Sequence, residues 1–250
     1  MATTWALRRR VAVISFFVFI FLIAIGFYWY TTKAPPSCFD KKQNQREEGV
    51  DCGGPCIPCA SQIRDIAVLW RRFFVLKEGY VDAAALVQNP NQLLRAKEFR
   101  YAVRIFDSEN VLIAVRENAV IIQPGETMLI FEPQIPIVER TPARIIIEPR
   151  GALWERADAE VVKINIVRLQ LLLTDEFPRL EVRARNEAPH PYKELEISAI
   201  LYRGDEAVGV SRTILDNLDL NEEKNLIFTW PRAIEGVTRA ELLFRTKGSL

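Results

Sequence analysis

Residues 37–59 hold all four cysteines, so no other part of this chain can be crosslinked or can offer a thiolate. Histidine is nearly absent. His190 is the one copy, in the proline-flanked stretch "APHPYKE". With no Cys or second His nearby, triad catalysis and a histidine metal site both lack parts, and His190 reads as a surface loop residue. No GxSxG elbow, phosphate loop or dinucleotide fingerprint occurs. No charge of one sign dominates: 33 Lys+Arg stand against 32 Asp+Glu, a net charge of +1. Such a chain has no field to draw in nucleic acid, and no nucleic-acid partner is expected. Nothing here assembles into an enzyme.

What the chain does have, first, is one long apolar run, "VAVISFFVFIFLIAIGFYWY", from Val11 to Tyr30, without a charge. At 1.5 Å per residue it is long enough to cross a hydrocarbon core of about 30 Å. Arg8, Arg9 and Arg10 precede it and Trp29 closes it between two tyrosines. By the positive-inside rule and the interfacial preference of aromatic rings, residues 1–10 are cytoplasmic and residues 11–32 span the lipid bilayer of a plasma membrane. The remainder then lies outside, periplasmic or extracellular. A cleaved signal peptide fits less well, because the run is long and its exit, "GFYWYTT", is bulky.

The cysteines follow within residues 33–62, spaced Cys38-x13-Cys52-x3-Cys56-x2-Cys59. Outside the cytoplasm, disulfides persist and free thiolates oxidise, so two disulfides are expected. Zinc and a redox dithiol at "CIPC" are the competing readings. Four cysteines allow three pairings. Cys56–Cys59 is disfavoured because it would close a very small loop. Asp40, Asn44, Glu47 and Asp51 lie among the cysteines and offer the oxygen ligands calcium prefers. They are the candidate cofactor site, against the plainer reading that Asp and Asn make turns in a short solvated segment.

From Ile63 onward, β-branched and aromatic runs alternate with polar residues and break at turn residues, the pattern of an all-β sandwich. The pattern occurs twice. "IAVLWRRFFVLKEGYVDAAALVQN" matches "INIVRLQLLLTDEFPRLEVRARN", and both end at an Asn. "FRYAVRIFDSENVLIAV" matches "LEISAILYRGDEAVGV", "IIQPGETMLIF" matches "NLDLNEEKNLIF", and "ARIIIE" matches "AELLFR", all at an offset near 96–97 residues. Two tandem domains of one fold are expected, at 63–149 and 161–250, each near the size of an immunoglobulin-type sandwich. Residues 150–160 are the expected linker, with one short helical turn. In the second domain Leu195, Ile197, Ala199 and Leu201 form the row expected to face inward, and Glu194, Glu196, Ser198 and Ile200 the row facing outward. Trp70 is expected to pack inward from its strand, and "NLIFTWP" to be a core strand.

"FRYAVRIFDSENVLIA" resembles the central hairpin of bacterial FxLYD-type domains, which are similar to immunoglobulin and fibronectin type III sandwiches. Cys38, Asp40, Asn44, Glu47, Asp51, Cys52, Gly53, Gly54, Cys56 and Cys59 resemble a short DCGGxCxxC Cys-rich motif of bacterial cell-surface proteins, with Lys41 where that motif usually has Gly. The resemblance implies a bacterial, membrane-anchored surface protein and no reaction. The expected role is to present two sandwiches to a protein or envelope partner. The alternatives are a subunit of a larger membrane assembly and a redox or metal-dependent activity of the Cys-rich segment.

Overall fold

The computed structural model describes residues 2–32, 37–59, 63–77, 79–137, 140–159, 161–173 and 178–246, which fall into two compact units, Met1–Cys59 and Ala60–Leu250. Lys33–Pro36 of the expected membrane exit, residues 60–62 of the Cys-rich segment and Glu160 of the expected linker lie outside the described residues.

The first unit opens with helix α1, Ala2–Thr32. Its stretch Leu7–Trp29 has a mean hydropathy of 2.8, and none of that stretch is covered by the rest of the protein. A helix apolar all round is stable only in a core or in lipid. Here it is long and apolar enough to cross a membrane. Arg8, Arg9 and Arg10 sit at its start and Trp29 near its end, all exposed.

Among the described residues, the second unit is built from twelve strands. The first six are β1 (Ala67–Lys77), β2 (Tyr80–Gln88), β3 (Leu94–Phe106), β4 (Leu112–Ile122), β5 (Thr127–Pro136) and β6 (Arg144–Arg156). They form two antiparallel sheets, β1-β2-β5 and β4-β3-β6. The next six are β7 (Ile164–Leu172), β8 (Arg179–Asn186), β9 (Tyr192–Arg203), β10 (Glu206–Leu218), β11 (Glu223–Thr229) and β12 (Arg239–Thr246). They repeat the arrangement as β7-β8-β11 and β10-β9-β12. Each sandwich encloses its own core. Phe99, Val103, Ile105 and Ile130 are buried in the first, and Leu180, Ile197, Leu201 and Phe228 in the second. The internal repeat read from the sequence is therefore a repeat of topology.

The turns follow their residue chemistry. In the β3–β4 hairpin the Asp107 carboxylate accepts the amides of Glu109 and Val111 at 2.9 and 2.8 Å, and Asn110 takes φ 61°. Gly204 (φ 58°) turns the corresponding β9–β10 hairpin.

Two expectations need correction. Residues 150–156 contain no helical turn. They continue β6, paired with β3 as far as Arg156–Leu94. Gly151 at φ 118° and a register break at Arg150 let the strand bend and carry on pairing, where a helix would have left its polar groups unmatched. The second correction concerns β9. Its inward row is buried as expected, but of the other row Glu196, Ser198 and Ile200 are buried too. They are covered by the first sandwich.

That cover is a third apolar cluster lying between the two domains. Ala84 and Leu86 of β2 and Leu129 of β5 meet Ile200 and Tyr202 of β9 and Val210 of β10, with Trp70, Phe74 and Phe131 packed around them. Trp70 thus packs on the seam rather than in the core of its own domain. Both middle strands, β2 and β9, are buried on both faces over most of their length. The second unit is in effect four stacked sheets.

Candidate functional site

The Cys-rich segment folds as a chain of tight turns. Lys41, Gln45, Arg46, Asp51, Gly53 and Gly54 all have positive φ, between 49° and 82°. Side chains rarely adopt this conformation without local support. Lys41 is among them at φ 57°, an angle that glycine would take without strain. At Gly53 an added Cβ would lie 2.7 Å from the Glu48 backbone nitrogen, so glycine is required there for closeness as well as angle.

All four cysteines are bonded, Cys38 to Cys56 and Cys52 to Cys59. The two links interleave in sequence and span 18 and 7 residues. Cys56 and Cys59 belong to different bonds, and "CIPC" is not helical. The geometry is thus not that of a CxxC dithiol at a helix start. Cys38, Glu47 and Cys56 lie close together, but the two sulfurs are bonded to each other and present no thiolate to a metal.

The oxygen side chains are engaged with the segment's own amides. The buried Glu47 carboxylate accepts from Asn44 N at 3.1 Å and Asp51 N at 3.3 Å, and its second oxygen lies 3.0 Å from the Cys56 sulfur. Asp51 accepts from Lys41 N with both oxygens at 3.0 Å. Asp40 accepts from the Asn44 side-chain amide at 2.8 Å and from Lys42 N at 2.9 Å. The Asn44 bond chiefly holds the Asp40 carboxyl below its usual range. As placed, the oxygens of Asp40, Glu47 and Asp51 all accept from amides of the segment itself. With no apolar core available, crosslinks and carboxylate-to-amide bonds shape the segment.

In the second unit, polar chemistry concentrates at the seam between sandwiches. Arg245 of β12 reaches Glu126 at 2.9 Å, the Ile121 carbonyl at 2.7 Å and Glu196 at 3.7 Å, with all three charged side chains largely buried. Arg212 lies 3.6 Å from Glu196 and stacks over Phe131. Tyr101 donates to Glu132 at 2.6 Å. At one end of the seam a cavity of about 270 Å³ lies among Phe74, Asp82, Arg203, Val210 and Trp230. Burial pushes the Asp82 carboxyl up, while the Gln134 amide, 2.8 Å away, works against that.

Sequence reasoning missed the seam residues. A signal was present in "VDAAALVQ" and "ISAILY", where both rows of a strand are apolar or small, the mark of a strand buried on both faces.

No family model and no curated protein matches the chain. Among solved structures it is similar to a crystal structure of red sea bream transglutaminase at 10% identity and a TM-score of 0.27. That likeness covers 73% of this chain and 29% of the other.

Proposed function

We propose that this is a single-pass membrane protein that holds two rigidly joined β-sandwiches outside a plasma membrane for a protein or envelope partner. One observation carries the reading. An uncovered apolar helix of spanning length leads, within a few residues, to a segment whose four cysteines are all disulfide-bonded. Disulfides of this kind persist on the oxidising side of a membrane. Together with Arg8–Arg10 before the span, they favour a cytoplasmic N-terminus and an external C-terminal part. The Cys-rich segment acts as a stiff collar. The resemblance of its motif to those of bacterial surface proteins supports a bacterial cell envelope as the setting. The double-faced burial of β2 and β9 supports presentation of the two domains as one body.

The test is extraction and intact mass of the protein from its native membranes. Retention in the pellet after alkaline carbonate, with residues 1–32 still present, is expected. Release by carbonate, or a mature form beginning after Tyr30, would overturn the anchor.

A further inference from the structure

Exposed phenylalanines gather in one part of this protein, with one exception. Among the described residues, Phe16, Phe17, Phe19, Phe21 and Phe27 are exposed, and all lie in the apolar stretch of α1. The exception is Phe39 of the Cys-rich segment, which at 87% is more exposed than any of them.

Phe39 is held out by its surroundings. It sits in a tight turn that is fixed on both sides. Before it, Cys38 is bonded to Cys56. After it, both Asp51 oxygens accept the Lys41 amide at 3.0 Å. The Asp40 carboxylate braces the turn from within, accepting from Lys42 N at 2.9 Å and the Asn44 side-chain amide at 2.8 Å. Asp51 belongs to a neighbouring turn, closed by the Gly49–Cys52 bridge, and the Val50 side chain on that turn is exposed too. Within residues 37–59 the buried positions are Glu47, Gly53 and Cys56, so the segment holds no core to receive a phenyl ring.

An apolar phase lies within reach. From Thr32, where α1 ends, to Cys38 the chain covers at most about 20 Å, at roughly 3.3–3.6 Å per residue. The headgroup layer of one leaflet is itself roughly 5–8 Å deep. The span keeps the ring at high local concentration beside the bilayer. Removal from water favours a phenyl side chain by about tenfold to a hundredfold. Lys41 and Lys42 follow Phe39 closely and are both exposed. Cationic side chains on apolar stems suit the boundary between acyl chains and phosphates.

We infer that Phe39 enters the outer headgroup layer of the bilayer that α1 crosses, with Lys41 and Lys42 on lipid phosphates. The Cys-rich collar then rests on the membrane through this turn and does not stand off from it. The stapled turn is a second contact with lipid, beside the span, and it fixes the collar's height above the bilayer. The inference deepens the anchor reading above and rests on it for the presence of the bilayer.

The test uses the full-length protein in vesicles of phosphatidylcholine and phosphatidylglycerol. A spin label is attached through p-acetylphenylalanine, which leaves the four cysteines bonded. It is placed in turn at position 39, at position 17 within the span, and at the exposed Leu220 of the second sandwich. Collisions with oxygen and with a water-soluble nickel chelate, present on both sides of the bilayer, are then measured. At position 39 oxygen should dominate, with nickel collisions roughly fivefold or more below those at position 220. Lys41→Glu combined with Lys42→Glu should raise the nickel collisions at position 39 by about twofold or more. Nickel collisions at 39 equal to those at 220 would overturn the contact. So would a label at 39 shielded from both reagents, since protein would then cover the ring. No response to the double variant would overturn the part given to the lysines. A lipid-facing label at 17 with a water-facing one at 39 refutes the turn alone, whereas a water-facing label at 17 refutes the anchor.

Discussion

Asn89 and Asn186 do the same work at equivalent points of the two sandwiches. Both are fully buried just where the second strand of their domain ends. Asn89 donates to the carbonyls of Leu94 and Gln123 and accepts the Asn91 amide. Asn186 donates to those of His190 and Leu218 and accepts the Ala188 amide. Each pins the end of one sheet to the end of the facing one. Asn186→Leu should therefore strand two carbonyls and an amide. A loss of about 1–3 kcal/mol is expected, seen as a lower denaturation midpoint at unchanged slope; an unaltered midpoint would refute the pin.

The seam makes its own prediction. Ile200 is wholly buried between domains rather than in either core. Ile200→Glu places an unpaired charge there, at a cost of several kcal/mol. The second sandwich should remain folded while the two separate, so small-angle scattering should report a larger radius of gyration. Leu220→Glu, at an exposed site, should leave it unchanged.

Asp82 gives the pH prediction. Burial raises its folded pKa above the ordinary 3.8. The neutral acid is thus favoured in the fold, and the corresponding stability is fully present below pH 3.8 and lost as pH rises through the folded value. Asp107 works in the opposite sense. Burial opposes its ionisation, but the amides of Val111 and Glu109 and the Arg140 guanidinium outweigh that and hold it low. Comparing wild type with Asp82→Asn isolates the first effect. The variant should gain relative stability as pH rises from 3.5 through the raised folded pKa. A constant difference across the titration would contradict it.

The sheets were legible in the sequence because two-residue alternation and turn residues are local signals. The repeat was legible because its spacing is constant. The domain seam was legible only in part: the two apolar or small rows of β2 and β9 carry its signal, but Glu196 is a charged residue in the row that normally faces water. The approach of Arg245 and Arg212 makes the burial of Glu196 tolerable. Likewise Gly151, which reads as a break, extends a strand instead. The disulfide pairing was undecidable because, with Cys56–Cys59 disfavoured, two pairings still fit the spacing; the turns at Lys41 and Asp51 bring Cys38 to Cys56.

Reduction should unfold the collar and spare the sandwiches. In the loop-entropy picture the wider Cys38–Cys56 link contributes more, about 3 kcal/mol for a loop of that order. With reductant, amides such as Glu48 and Gly53, bonded to Cys52 and Ile57 carbonyls, should exchange fast while β2 and β9 stay protected. Fragmentation of the unreduced tryptic peptide pair 34–41 and 47–64 should assign the link from Cys38 to Cys56 rather than to Cys52 or Cys59.

Protease shaving of right-side-out membrane vesicles, with tags at both ends of the chain, tests the anchor and its orientation together. Loss of the C-terminal tag, with the N-terminal tag surviving on a fragment little longer than α1, is the predicted result. A protected C-terminal tag in sealed vesicles would place the sandwiches in the cytoplasm and contradict the account.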